Sequence, residues 1–201
     1  MNSIERLTEL FKSFPGIGPR QAKRFVYYLL TRNGSYSDEL IRAMENLKSE
    51  VTQCESCQKH FVGNQRLCTI CSDETRDRTL LMIVPRDIDL ESVEKSGSYN
   101  GQYFVLGGVV PILEKEPEKR IRINNLRKTI NKKKEKLKEI ILAMNANQDG
   151  ENTAEYLRGK IREWQGETLT LTTLGRGLST GIELEYADPE TLKNAFLHRT
   201  K

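Results

Sequence analysis

Apolar residues recur at steps of three and four through the first fifty positions, the spacing of an amphipathic helix. Ile4, Leu7, Phe11 and Phe14 share one face of a helix over residues 3–14. Ala22, Phe25, Val26 and Leu29 form the apolar side of a second helix over 19–30, where Pro19 suits a first turn that needs no N–H. Leu40, Met44, Leu47 and Val51 mark a third over 35–51, with Ser35 and Asp38 as a candidate capping box. Beyond residue 78 the pattern changes to short apolar or β-branched runs at 80–84, 103–106, 139–144 and 168–174. Helical stretches lie between them at 87–95, 124–138 and 152–164. Strands alternating with helices predict a parallel sheet with covered faces. A short extended piece over 181–186 and a helix over 188–197 follow, with Asp188-Pro189 at the helix start and His198 a favourable charge near its end.

The period changes across residues 54–71, where all four cysteines of the chain stand as Cys54-Glu-Ser-Cys57 and Cys68-Thr-Ile-Cys71. Two C-x-x-C pairs fold onto one tetrahedral ion, each pair gripping one edge. We read the site as one structural Zn²⁺. Two disulfides, or a redox pair, are the competing readings; the rest of the chain has an intracellular character, where thiols stay reduced. A closed four-cysteine site leaves no position for water, so it braces rather than catalyses. His60 lies between the pairs and is expected to be exposed, since four thiolates complete the shell.

Of 201 residues, 37% are hydrophobic, enough for a packed core, and 30% are charged. The formal net charge of +4 hints only mildly at a polyanion partner. The first residues lack a signal peptide's basic start and apolar run, and no apolar run nears the ~20 residues of a membrane span. A soluble, cytoplasmic protein with no membrane partner is expected.

Residues 14–20, Phe-Pro-Gly-Ile-Gly-Pro-Arg, join the first two helices by a tight hairpin. Gly16 and Gly18 let the backbone approach a phosphate closely, and the free N–H groups of the following helix start favour an anion. Arg20, Lys23 and Arg24, at i, i+3 and i+4, add charge on one face. The pattern is that of a helix–hairpin–helix motif contacting nucleic acid; the bland alternative is a helical hairpin with a solvated basic face. A second basic run covers 120–138, with Arg120, Arg122, Arg127, Lys128, Lys132, Lys133, Lys134, Lys136 and Lys138 opposed by Glu135. It is either the wet face of a sheet-covering helix or a second phosphate-contacting surface.

Three stretches resemble the RecR recombination mediator family: residues 10–24, residues 54–71, and the rear third with 139–145, 149–156 and 177–188. The resemblance implies an α/β fold with an N-terminal all-α helix–hairpin–helix region for DNA binding and dimerisation (1–53). A four-cysteine zinc knuckle (54–78), a Toprim-like parallel-sheet domain (79–175) and a C-terminal exchange segment (176–201) follow. It implies recombinational DNA repair by a ring-like homotetramer that binds duplex, single-stranded or gapped DNA. RecO-type and RecF-type proteins are the implied partners, and Asn145, Asp149 and Glu151 are assigned to a partner-contact loop. Three departures stand out. Pro85 takes the place of a Glu after the first Toprim strand, Ser179 replaces a Pro after Gly177-Leu178, and residues 114–120 replace a Gly-Pro turn.

Toprim enzymes place a Glu after the first strand and an Asp-x-Asp after a later one, supplying proton transfer and a Mg²⁺ site. Here those places hold Pro85 and Asn145-Ala146-Asn147. Proline has no proton to give, and an amide is a poor substitute for a carboxylate on a hard cation. The reading is therefore non-enzymatic. The alternative is a metal-dependent nuclease or primase-like enzyme using Asp87, Asp89, Asp149 and Glu151. We read Asp87 and Asp89 as helix N-terminal charges. Gly175-Arg-Gly177 after the last strand is read as a turn.

Overall fold

The computed structural model describes residues 1–181, 183–197 and 199, so His198 lies outside the described residues. The chain forms two compact units, Met1–Val51 with Val62–Asn64, and Thr52–Phe61 with Gln65–Lys201.

The first unit carries α1 (Ser3–Lys12), α2 (Pro19–Leu30) and α3 (Gly34–Glu50). A reciprocal pair of hydrogen bonds between Asn2 and Glu5 starts α1. The helix stops at Lys12, so Phe14 lies in the turn beyond it, edge-on to Phe11 at 5.9 Å. Phe11 in turn meets Phe25 of α2 at 5.7 Å. The third helix is capped not by Ser35 but by Asn33, whose side chain accepts from the Tyr36 N–H at 3.2 Å. Asn33 has the extended backbone a cap needs, whereas Ser35 is already inside the first turn. Among the described residues of this unit only Ala22 and Val26 are buried. Helices α1 and α3 bury none, and Met44 and Leu47 are 57% and 64% exposed.

The second unit is built on a four-stranded sheet of order β4-β3-β5-β6, with every neighbouring pair parallel. Two short strands, β1 (Val51–Gln53) and β2 (His60–Val62), pair around the first two cysteines, and α4 (Thr69–Ser72) follows the third. Then come β3 (Asp77–Val84), α5 (Asp87–Ser96), β4 (Gly101–Val105), α6 (Pro117–Arg120) and α7 (Ile123–Lys133). Next are β5 (Glu139–Leu142), α8 (Gln148–Gln165) and β6 (Thr170–Thr173). A 3₁₀ turn (Leu184–Tyr186) and α9 (Pro189–Leu197) complete the described part.

The central strand β3 shows why this sheet needs cover on both sides. Its side chains alternate between faces. Leu81 and Ile83 join Phe104, Ile140 and Leu142 in one core with Leu126 and Ile130 of α7 and Leu157 and Ile161 of α8. Met82 and Val84 point the other way, into a core with Tyr103, Val105, Leu90 of α5, and Cys54, Cys57 and Cys68. Each fully buried aliphatic or aromatic side chain contributes roughly 1.5–3 kcal/mol by leaving water. The cysteine segment and α5 together are therefore the second cover of the sheet. Arg76 and Glu94 stiffen that side through a bidentate ion pair, and the Tyr103 hydroxyl donates to the same Glu94 carboxylate at 2.6 Å. Burial works against the charged carboxylate, and the Arg76 and Tyr103 hydrogen bonds overcome it and hold Glu94 below its usual range.

Three boundaries differ from the sequence pattern. Helix α7 ends at Lys133 rather than running to Lys138. By Lys138 the chain must be extended, because its N–H bonds the Thr79 carbonyl and its own carbonyl accepts from Thr170. Helix α8 begins at Gln148 rather than Asn152, capped by Asn147, whose side chain accepts from Gly150 at 2.8 Å. The stretch expected to be extended over 181–186 contains a 3₁₀ turn instead. Among the described residues no strand edge pairs with it, and Tyr186 and Ala187 bond locally to Glu183 and Leu184. The 114–120 loop contains the one-turn α6, tied by an ion pair between Arg120 and Glu114.

Candidate metal centre and nucleic-acid interface

The four cysteine sulfurs lie within 4.8 Å of one another, with Cys54, Cys57 and Cys68 buried and Cys71 half-buried. Cys57 Sγ and Cys68 Sγ stand 3.6 Å apart. A disulfide needs about 2.05 Å. A tetrahedral ion with metal–sulfur bonds of about 2.3 Å sets its sulfurs about 3.8 Å apart. The donor set thus fits a soft tetrahedral cation and not a pair of disulfides. Hydrogen bonding from Cys57, then from Cys68 and Cys71, holds the Cys54 thiol far below its usual range. The contact with Cys54 pushes Cys57 and Cys71 above theirs. Sulfurs this close cannot all be thiolates unless a cation sits among them, and metal binding releases the remaining protons.

Local backbone explains how the spacing achieves this. The Gln58 N–H closes onto the Cys54 carbonyl at 2.9 Å, and Gln58 adopts a left-handed φ of 64° to turn the chain back. A side chain rarely accepts that conformation unless its surroundings fix it. Here Gln58 Nε2 donates to the Cys54 carbonyl at 3.2 Å, and Gln58 Oε1 accepts from Asn125 of α7 at 2.7 Å. The Gln58 carbonyl accepts from Arg122 at 2.9 Å, and the Cys57 carbonyl from the Val105 N–H at 2.7 Å. Thr129 reaches the Ser56 carbonyl at 3.4 Å. The cysteine turn is therefore fastened to β4 and α7. Sequence reasoning missed Gln58 and Asn125 and read Arg122 only as part of the basic run; nothing in their types marks this role, because the partners are about sixty residues apart.

In the first unit Gly16 takes φ +75°, which a side chain would resist, and Gly18 caps α2 with an extended backbone. Arg20, Lys23 and Arg24 project from the first turns of α2, exposed, and form no ion pair among the described residues. Lys23 lies 6.0 Å above the Tyr27 ring. The three cations and two glycines of the sequence pattern are thus brought together around one helix start.

At the C-terminal ends of β5 and β6 a cavity of about 530 Å³ is lined by Asn145, Gly150, Glu151, Arg158 and Arg176, among others. Open α/β sheets present ligand sites at this edge. Asp149 and Glu151 stand on the first turn of α8, not in a loop, and Glu151 pairs with Arg176 at 2.7 Å. The four carboxylates of the enzymatic alternative do not converge. Asp87 accepts from the His60 backbone N–H at 2.8 Å and meets the ring Nδ1 at 3.0 Å, while Asp89 accepts from the Arg86 N–H at 3.0 Å. His60 is exposed, as expected, but it is tied to α5 by that contact. Among the described residues the four cysteines are the one cluster of three or more candidate metal ligands.

Comparison with known proteins places these features. Residues 4–48 match the family model described as RecR, helix-hairpin-helix; residues 79–173 match the Toprim domain; and residues 177–200 match RecR, C-terminal. The chain is 38% identical over 193 residues to "Recombination protein RecR" of Chloroflexus aurantiacus, covering 96% of this chain and 91% of the relative. With the protein of the same name from Staphylococcus saprophyticus identity is 37% over 199 residues, covering 98% and 96%. With that from Legionella pneumophila it is 31% over 199 residues, covering 99% and 98%. The chain belongs to the RecR family. As a RecR-family fold it combines an N-terminal helix–hairpin–helix region, a four-cysteine cluster and a Toprim-type parallel sheet. Within that sheet Pro85 follows β3 and Asn145 follows β5. No helix of the described residues is long and apolar enough to cross a membrane.

Proposed function

We propose that this RecR-family chain is a DNA-binding mediator of recombinational repair, without catalytic chemistry of its own. It acts in the cytoplasm as a ring-like homotetramer with RecO-type and RecF-type partners, helping to load recombinase at gaps. The observation that carries DNA binding is the unpaired cation cluster Arg20, Lys23 and Arg24 beside the Gly16–Gly18 turn and the α2 start. Backbone N–H groups and three free cations at one point suit a phosphate and read no base. In this reading residues 1–53 bind DNA and dimerise, 54–78 form the zinc knuckle, 79–175 the Toprim-like domain and 176–201 the exchange segment. Zn²⁺ fills the cysteine site, one per chain, and braces the sheet. Asn145, Asp149 and Glu151 serve partner contact, supported by the cavity beside them at the sheet edge.

The test is binding to single-stranded, duplex and gapped DNA across a salt series. Each phosphate contact adds about 0.9 to the log–log salt slope on duplex DNA. The double substitution Arg20→Ala/Arg24→Ala is expected to weaken binding on every sequence alike and to flatten that slope by about 1.8. Unchanged affinity and slope would remove the hairpin from DNA binding. The same mixtures with Mg²⁺ or Mn²⁺ are expected to show no cleavage or primer synthesis; activity abolished by Asp149→Ala would restore the enzymatic alternative.

Self-assembly is supported by apolar surface at both ends of the chain. Leu40, Met44 and Leu47 are partly to largely exposed along α3, and Leu184, Tyr186, Phe196 and Leu197 are exposed toward the C-terminus. Patches of this kind are covered by a partner. Light scattering over a concentration series is expected to give a tetramer, and truncation before residue 187 a dimer with weakened DNA binding. A monomer at every concentration would end the ring reading.

A further inference from the structure

The basic run on α7 divides in two. Lys134, Lys136 and Lys138 lie past the helix end, and Arg127 sits 5.7 Å from the Trp164 ring. Lys128, Lys132 and Lys133 instead line a cleft of about 480 Å³ whose other wall is the cysteine segment, with Ser56, Gln58 and Leu67. The positions i and i+4 of Lys128 and Lys132 set both amines along one side of the cleft. Both side chains are exposed and make no hydrogen bond or ion pair among the described residues. Lys133 is half-buried and donates to Gln102. The one carboxylate on the lining, Glu55, is engaged bidentately by Arg66 at 2.9 and 2.7 Å, and that pairing, with a lesser pull from the Lys132 charge, holds its carboxyl below the usual range. The cleft is thus a cationic trough with its only acidic group already neutralised. Its floor is fixed, because Asn125, Thr129 and Arg122 bind the backbone or side chain of residues 56–58.

We propose that this trough is a second DNA-backbone site, in which Lys128 and Lys132 hold consecutive phosphates of one strand against the cysteine segment. The inference rests on the DNA-binding reading above. It assigns the metal a further part: the ion touches no nucleic acid but keeps one wall of the trough in place. A nucleic-acid backbone fits better than an acidic protein segment for two reasons. The trough offers two ammonium groups one helical turn apart on the same wall, and Leu67 is the one apolar residue on its lining, too little to seat the apolar side chains of a protein segment. Phosphate contacts by lysine position a strand without reading its sequence.

The experiment compares four full-length proteins, the wild type, Lys128→Ala/Lys132→Ala, Lys128→Arg/Lys132→Arg and Arg20→Ala/Arg24→Ala, on duplex and single-stranded DNA across a salt series. The Lys128→Ala/Lys132→Ala protein is expected to lose about 1.8 from the salt slope on duplex and about 1.4 on single strands. The arginine pair is expected to keep the wild-type slope, since charge and not shape is what the phosphates use. Metal content and thermal midpoint are expected to stay unchanged in both, because neither lysine holds the fold. Wild-type slope in Lys128→Ala/Lys132→Ala, with a flattened slope in Arg20→Ala/Arg24→Ala, would overturn the trough and leave the hairpin reading standing. Loss of an acidic protein partner with DNA binding intact would overturn it in favour of a protein-docking surface. A wild type that binds no DNA would remove both readings.

Discussion

Replacing Cys57 by Ser is expected to yield a protein that retains less than one metal ion per chain and falls out of solution. Ligation by four thiolates is worth on the order of 10 kcal/mol in small metal domains. Whole-chain stability is about 5–15 kcal/mol. The loss is not confined to the turn, because Cys54, Cys57 and Cys68 pack with Met82, Val84, Leu90, Tyr103 and Val105 against one sheet face. Without the ion that face loses its cover, and apolar surface opens to water. Atomic emission on the purified protein, soluble yield and the thermal midpoint check this. Chelation of the wild type is expected to reproduce the same melt, slowly, and acid to hasten it, since protons compete for the thiolates. A soluble, metal-free Cys57→Ser protein with the wild-type midpoint would refute the bracing role.

Substituting Gly150 by Ala is expected to cost about 3 kcal/mol, the upper range for forcing atoms into a filled site. A Cβ on Gly150 would collide with the Asn145 carbonyl oxygen, and the atom in its way is backbone, which cannot swing aside. Either the first turn of α8 or the turn over 145–147 must move. A chain of this size shifts its midpoint by roughly 2–4 °C per kcal/mol, so the fall is about 6–12 °C. Asn145 and Glu151 line the same cavity, so the partner contact proposed for this edge is expected to weaken together with stability. Gly159→Ala is the control. It lies on the same helix with open space around it, and there alanine is expected to be neutral or stabilising by about 0.5–1 kcal/mol. A Gly150→Ala midpoint within about 1 °C of wild type would mean that the turn adapts freely.

What the sequence made legible follows the reach of its signals. The first three helices were visible because Ile4, Phe11, Ala22 and Val26 repeat at helical spacing. The cysteine site was visible because both pairs have the same short span. The four strands of the parallel sheet were visible as apolar runs alternating with α5, α7 and α8, whereas the short β1, β2, α4 and α6 and the 3₁₀ turn at 184–186 were not. The errors arose where a distant part of the chain decides a local outcome. The end of α7 is set by pairing of Lys138 with Thr79 and Thr170, while the polar lysines around it continue unchanged past the boundary. The start of α8 was obscured by Gly150, which reads as a loop residue but is needed for close packing on Asn145. The division of the basic run into a cleft wall and a wet remainder depends on where residues 56–58 dock, a placement set by Gln58, Asn125 and Arg122 together.

The core that the cysteines share with the sheet also fixes an order of events during synthesis. The four thiols leave the ribosome before any of β3–β6 exists, and about thirty-four residues separate Cys71 from Val105 at the end of β4, by which point Met82, Val84, Leu90, Tyr103 and Val105 have all been made. At about 5–20 residues per second this is an interval of roughly 2–7 s before those apolar partners are complete. With the metal proposed for this site, the ion would hold the turn during that time and keep the sulfurs from reacting elsewhere. A shortage of that metal would then harm this chain at birth more than in its finished state, because a nascent chain that misses the ion presents β3 without the cysteine part of its second cover.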